Sequence, residues 1–333
     1  MDRICKIAMI GAGERACKFI LPALLSAKDD VEIIALCDIN EQRARQAAQT
    51  FHIEKTYSGS DLAYRAMIEE LQPDAVVAVG QPHILYDTWM WILGSGIPLM
   101  IEKPLGLSMH QTQALCYLAQ KNHCVTQVAF QRRVSPMVVK MRELCLDRGP
   151  ITHALCKFYK YEPVPFLGAR DHILDDTVHA IDTLRWMCGG DVVALESHAR
   201  CIGVPDINFV TATLTFSNGA NGVLINSWTS GKREFSVEMH APGIYVQAEH
   251  EGKSYVYTDG SLTPAIYDAR EVAGSDDLWD YTGVTALCRS FARAVTNGSR
   301  PSSPFEDACQ TMRVAFDILA QAQLSGPYAS QYH

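Results

Sequence analysis

In the run Leu174-Asp175-Asp176-Thr177-Val178-His179-Ala180-Ile181-Asp182-Thr183-Leu184-Arg185-Trp186, Asp175, His179 and Asp182 stand at i, i+4 and i+7. On a helix these positions lie above one another on a single face. Val178, Ile181, Leu184 and Arg185 fill the neighbouring directions, so the helix is packed while three polar heads project together. A carboxylate one turn from an imidazole orients the ring and stabilises its charged form, which is what a general base needs. Asp176 points about a hundred degrees away round the same helix. An amphipathic helix with a solvated Asp/His edge has the same spacing, so the weight of the run depends on the rest of the chain.

The apolar run Ile4 to Ile10 leads into Gly11-Ala12-Gly13-Glu14-Arg15-Ala16, which opens a helical pattern through Leu25. This is a G-x-G-x-x-A turn between a strand and a helix. Gly11 permits the tight turn, Gly13 lets backbone approach a pyrophosphate, and small Ala16 lets helix and strand pack closely. A second apolar run, Val31 to Cys37, ends in Asp38, placed to accept hydrogen bonds from both hydroxyls of an adenosine ribose. Further on, Glu102-Lys103-Pro104 follows a strand-like run. Pro104 removes a backbone donor and fixes the turn, so Lys103 is held at the strand end, where it can hydrogen-bond a substrate hydroxyl. Taken alone, the tripeptide also describes a surface lysine.

These side chains need a scaffold, and the chain supplies an alternating one. Helices are predicted over Glu41–Phe51, Ser60–Leu71 (Ser60 as cap), Leu85–Leu93 and Ser108–Lys121. Strands are predicted over 74–79, 97–101 and 125–130. That rhythm argues a parallel, doubly wound sheet with ligands at the carboxyl ends of its strands, where Gly80-Gln81-Pro82 and Glu102-Lys103-Pro104 fall. Beyond the helix 137–147 come strand-like runs at 151–161, 192–201, 210–216, 222–228, 235–240, 244–249 and 254–257, with Ser217-Asn218-Gly219-Ala220 as a hairpin turn. The fold class is therefore α/β: an N-terminal Rossmann doubly wound parallel sheet, with a C-terminal α+β domain on a largely antiparallel sheet. The expected division is 1–123 and 124–333, with the last helices packing back on the first domain.

Composition excludes several classes. The 333 residues are 48% hydrophobic, with a formal net charge of −8, so there is no electrostatic case for nucleic acid or a membrane surface. No apolar run reaches membrane-span length. A strand-like stretch by Ile4 leaves no room for a signal peptide. Eleven scattered cysteines, without CxxC or His-paired spacing, read as thiols of a reducing cytoplasm and predict no metal site.

Together Gly11-Ala12-Gly13, Asp38, Glu102-Lys103-Pro104, Phe130-Gln131-Arg132-Arg133, Asp175-x-x-x-His179-x-x-Asp182 and Phe291-Ala292-Arg293-Ala294-Val295-x-Asn297-Gly298 resemble the glucose-fructose oxidoreductase / inositol dehydrogenase family, in its order and over essentially the whole chain. The resemblance implies NAD, with NADP as alternative, and a sugar, cyclitol or related polyol as substrate. By resemblance, Lys103, Asp175 and His179 match the catalytic set and Asp182 a substrate-hydroxyl ligand. Gly11, Gly13, Glu14, Arg15, Asp38, Gln81, Pro82, Glu102 and Lys103 become the cofactor-binding candidates. Arg132, Tyr159, Tyr161 and Trp228 are candidates for the substrate wall, although as aromatics on strands the Tyr and Trp residues fit a core position equally well. A homodimer or homotetramer is also implied. Two positions depart from the family pattern: Gln81-Pro82-His83-x-x-Tyr86 replaces a frequent Thr-Pro-Asn-x-x-His, and Gln131 a common Asn. Without the N-terminal arm that clamps cofactor in some members, the cofactor is expected to exchange.

The chemistry expected is hydride transfer between nicotinamide and a carbon bearing a secondary alcohol. His179 takes the hydroxyl proton, Asp175 orients it, and Lys103 shares the hydrogen bond to the oxygen. A redox-neutral NAD-dependent glycoside hydrolase or lyase would use the same site. A non-catalytic dinucleotide sensor would keep the fold but have no need of Lys103, Asp175 and His179 together.

Overall fold

Cys5–Ile10 forms β1, with Ile7, Ala8 and Met9 fully buried, as a central parallel strand covered on both faces requires. A computed structural model describes the chain over residues 3–162, 164–166 and 168–325. The strands β2 (Val31–Cys37), β3 (Thr56–Tyr57), β4 (Ala75–Ala78), β5 (Leu99–Ile101) and β6 (Thr126–Val128) join β1 in one parallel sheet, ordered β3-β2-β1-β4-β5-β6. The order reverses between β1 and β4, the switch point at which such sheets open a crevice at their carboxyl ends.

Local chemistry sets the helix starts. Asn40 caps Glu41–Phe51 by accepting from the Arg43 N–H, and Ser108 caps Met109–Lys121 by accepting from Gln111. Pro82 takes the first helical position and opens Pro82–Gly94 earlier than predicted, because its missing N–H costs nothing there. Ser60 is not a helix cap: its Oγ accepts from Leu62 in a turn, and the helix begins at Ala63. The strand expected over 125–130 is shorter, since Gln131–Val134 forms a 3-10 turn behind it.

This first unit runs through Gln131 and takes in Leu278–Cys309. The returning segment completes its core. The Gln127 amide, fully buried, donates to Leu287 O at 2.7 Å, and Val128 N–H donates to Ser303 O at 2.9 Å. Arg289 and Arg293 both reach Asp30.

The second unit holds Arg132–Asp277 and resumes at Gln310. Its sheet has β7 (His153–Tyr161), β8 (Val192–Arg200), β9 (Phe209–Phe216), β10 (Asn221–Ser227), β11 (Thr229–Ala241), β12 (Ile244–Glu249), β13 (Lys253–Thr258) and β14 (Ala265–Asp268). The order is β14-β13-β12-β11-β7-β10-β9-β8, antiparallel except for the parallel pair β7 and β10. Ala154, Cys156 and Phe158 face the core from β7, register with Met239, Val237 and Phe235 of β11, and are buried with them. Val178–Cys188 packs against β7 and β10. The hairpin turn is as expected, with Gly219 at φ +87° and Asn218 Oδ1 accepting from Ala220.

His250, just after β12, is buried with its ring edge against Phe235. Burial above all pulls its pKa from 6.5 down to about 4, against the opposing pull of nearby Glu251. Between those values the unfolded chain binds a proton that the native chain does not. Stability is therefore intact above the unfolded value and falls as pH drops through the window, by on the order of 3 kcal/mol at most. His250→Leu is expected to flatten that decline in urea midpoints measured from pH 7 to pH 4. A decline as steep as in wild type would remove His250 as its source.

Candidate active site

In the first unit, four strand ends carry the polar groups. Gly11 follows β1 at φ +96°, where a Cβ would meet the Val79 carbonyl oxygen at 2.0 Å, so only glycine fits. A Cβ at Gly13 would meet nothing within 4 Å, so the turn is open to a close-lying phosphate. Buried Ala16 then begins the helix. Its first turn, Ala16–Ile20, is π-helical, with the Leu21 N–H donating to Ala16 O. Asp38, at the end of β2, accepts from Ala12 N–H on Oδ2 and from Asn40 N–H and Arg43 Nη2 on Oδ1, each at 2.8 Å. A carboxylate offers about four acceptor positions. Three are taken, so Asp38 has room for one ribose hydroxyl rather than the two expected, unless Arg43 withdraws. These features fit a dinucleotide.

Arg15 donates to Glu102 Oε1 at 2.8 Å and lies over the Phe19 ring, tying the glycine-rich turn to the end of β5. Lys103 follows Glu102, half-buried, with a cis peptide to Pro104. Gln81 caps Pro82–Gly94 at the end of β4, and its carbonyl accepts from Ile84 and Leu85. Glu14 is 76% exposed and bridges to Lys18 one turn on. That places Glu14 on a solvated helix edge instead of in the cofactor cradle.

In the second unit the helix carrying the acidic and histidine residues also starts with a π turn, Ile173–Thr177, where the Val178 N–H reaches Ile173 O. Such wide turns recur at functional sites, and nothing in local spacing announces them. Asp171 Oδ1 accepts from Leu174 and holds the turn's start. Asp175 remains partly exposed and pairs with Arg170 at 2.5 Å. His179 is buried one turn later, its carbonyl accepting from Thr183 Oγ1.

Asp176 did not stand out in the sequence. It is buried, and its Oδ2 accepts from Lys160 Nζ at 2.6 Å and Trp228 Nε1 at 3.0 Å. A signal was present. Lys160 continues the inward phase of Ala154, Cys156 and Phe158 on β7, and a lysine there needs an acid. The Trp228 ring stacks on His172 at 4.4 Å, and His172 on Phe166 at 4.7 Å. Burial lowers the His172 pKa despite four nearby carboxylates, Glu162, Asp176, Asp175 and Asp206.

The structure places three of the residues expected near substrate in buried pairings. Asp182 is 0% exposed, with Arg133 Nε and Thr311 Oγ1 each 3.3 Å from its oxygens. It ties the helix to the 131–134 turn and to the last helix, Phe305–Ser325. Arg132 packs against the edge-to-face pair Phe158 and Phe235, 4.6 and 4.0 Å from their ring centres, and burial pulls its pKa down to about 10. Trp228 is buried, and its N–H is spent on Asp176. Tyr161 is 67% exposed at the end of β7, and Tyr159 is half-buried opposite Glu234. Among the described residues no group of three or more His, Cys, Asp or Glu is placed to hold a metal.

A glycine-rich turn at the switch point of a parallel sheet, with an acid ending the next strand, defines a dinucleotide-binding Rossmann unit. Residues 5–130 match the oxidoreductase family with an NAD-binding Rossmann fold, and residues 149–243 match the GFO/IDH/MocA C-terminal domain. The chain belongs to this GFO/IDH/MocA family of NAD-binding oxidoreductases. It is 25% identical over 244 residues to scyllo-inositol 2-dehydrogenase (NAD(+)) of Bacillus subtilis, which covers 69% of each chain. Among solved structures, a dehydrogenase from Chromobacterium violaceum superposes with a TM-score of 0.86 at 20% identity, over 97% of this chain and 96% of that one. Levoglucosan dehydrogenase, solved with NADH and levoglucosan, gives 0.83 at 17% identity, over 97% and 98%. Among the described residues no helix is long and apolar enough to cross a membrane.

Proposed function

We propose that this enzyme transfers hydride between nicotinamide and a secondary alcohol or ketone carbon of a sugar, cyclitol or related polyol. The observation that carries the proposal is Asp175 and His179 one turn apart on a helix whose first turn is opened into π geometry. The inositol dehydrogenase relative supports the substrate class. His179 removes the hydroxyl proton, Asp175 stabilises the imidazolium that forms, and Lys103 donates a hydrogen bond to the oxygen. The dinucleotide, when bound at the glycine-rich turn, supplies the hydride-accepting carbon. Anaerobic incubation with a panel of polyols and sugars, following NADH absorbance and products together, tests the proposal. Products formed without net NADH would replace it with a redox-neutral hydrolase or lyase.

NAD is favoured over NADP, because the Asp38 carboxylate repels a 2′-phosphate. Arg43, bound to Asp38 and half-exposed, softens that preference. At the effective dielectric of a protein surface the repulsion is worth a few kcal/mol, so kcat/KM with NAD should exceed that with NADP by at least about tenfold. Equal values would mean that Asp38 does not read the ribose. A cytoplasmic site of action fits eleven free thiols, of which buried Cys5, Cys37 and Cys288 are each pushed up to about 12 by burial and stay protonated. Assembly into a homodimer or homotetramer is part of the same proposal.

A further inference from the structure

We infer that Arg170 is a positioning residue for the reaction, acting through Asp175 to set the proton affinity of His179. The inference rests on the reading of Asp175 and His179 as the proton-handling pair. Arg170 lies in the stretch between β7 and the π turn, outside every motif that drew attention in the sequence. Its Nη2 stands 2.5 Å from Asp175 Oδ1, and both side chains are 15% exposed, so water screens the contact only partly. Asp171 fixes the turn from which Asp175 projects, through Leu174 N–H to Oδ1 and Asp175 N–H to the Asp171 carbonyl.

The surrounding charges single out this pair. Around the helix stand Asp176 and Asp182 on the helix itself and Asp171 and His172 just before it. Lys160 comes from β7, Glu162 from just beyond its end, Arg133 from the 131–134 turn, and Asp206 from the loop before β9. Asp176 is answered by Lys160 at 2.6 Å, Glu162 by the same ammonium at 3.4 Å, and Asp182 by Arg133 at 3.3 Å. Asp206 accepts from the Phe166 N–H at 2.7 Å. His172 is held neutral by burial. The counter-charge for Asp175 is Arg170. An unopposed carboxylate one turn before an imidazole would stabilise the imidazolium and leave less of the neutral, proton-accepting ring near neutrality. A guanidinium bound to the carboxylate draws its negative charge away from the ring while fixing the carboxylate's direction. Arg170 therefore keeps the base available at lower pH than Asp175 alone would allow.

The test reads the ring itself, in the full-length enzyme without substrate. The imidazole of His179 is titrated by NMR and assigned by the loss of its signal in His179→Gln. In Arg170→Gln the midpoint should rise by about half a pH unit or more, while Arg170→Lys should stay near wild type. On an Asp175→Asn background the same Arg170→Gln change should move it by less than about a fifth of a unit, because there is no carboxylate left to act through. Should Arg170→Gln not fold by circular dichroism, Arg170→Met carries the same expectation. In kinetics the acid limb of kcat/KM should move with the midpoint, with KM unchanged within about twofold. A folded Arg170→Gln or Arg170→Met whose midpoint stays at the wild-type value overturns the inference. So does a shift that survives undiminished on Asp175→Asn. If the midpoint moves as stated while no alcohol of the panel is oxidised, the coupling stands and the hydride-transfer proposal is what has failed.

Discussion

His179→Ala is expected to lower kcat for alcohol oxidation by a factor on the order of a hundred to ten thousand, the worth of a positioned base. It should also erase an ionisation from the pH profile. The neutral imidazole is the form that accepts a proton, so kcat/KM for oxidation rises with pH through the ring's midpoint, and for the reverse reduction it falls. Asp175→Asn removes a carboxylate that favours the charged ring, so the midpoint should move to lower pH while the maximal rate drops. With Arg170 already opposing that carboxylate, the movement should be smaller than an unpaired acid would cause. Asp176 is no neutral control for this series, since it is buried under Lys160 and Trp228 and its loss strikes folding. An unchanged pH profile in folded His179→Ala would take the histidine out of the mechanism.

Lys103→Ala should leave NAD affinity nearly intact and cut turnover by at least about a hundredfold. The separation follows from what its neighbours do. Arg15 and Glu102 brace the turn against β5, and Asp38 braces it against the helix Glu41–Phe51, so removing the Lys103 ammonium takes away none of that scaffolding. Fluorescence titration with NADH gives the affinity, and steady-state kinetics gives the turnover. Normal turnover in the variant would return Lys103 to an ordinary surface lysine.

What was legible in the sequence is what depends on near neighbours. The turn after β1 could be read because Gly11 is demanded by backbone geometry and Gly13 leaves the turn open, and Asp38 because it ends the next strand. The π turn at Ile173–Thr177, which contains Asp175, could not be read from the spacing of Asp175 and His179. The partners of Asp182 were out of reach for a different reason. Spacing puts it on a polar edge, but Val178–Cys188 is buried on nearly every side, so an acid there must be answered from within. Its partners, Arg133 and Thr311, come from distant parts of the chain, and no periodicity shows them. Lys160 and Asp176 drew no attention in the sequence, and only the fold shows that they answer one another.

The backbone enters the second unit at Arg132, returns to the first at Leu278 and leaves again after Cys309. A ribosome delivering this chain therefore releases the whole parallel sheet long before the segment that finishes its core. Until Leu287 and Ser303 emerge, Gln127 and Val128 lack the partners that satisfy them. The dinucleotide-binding half is thus completed late in synthesis although it is encoded first. A fragment cut after Gln131 would hold every glycine and acid of the nucleotide turn and still be an unfinished protein, prone to aggregate through the surface that 278–309 normally covers.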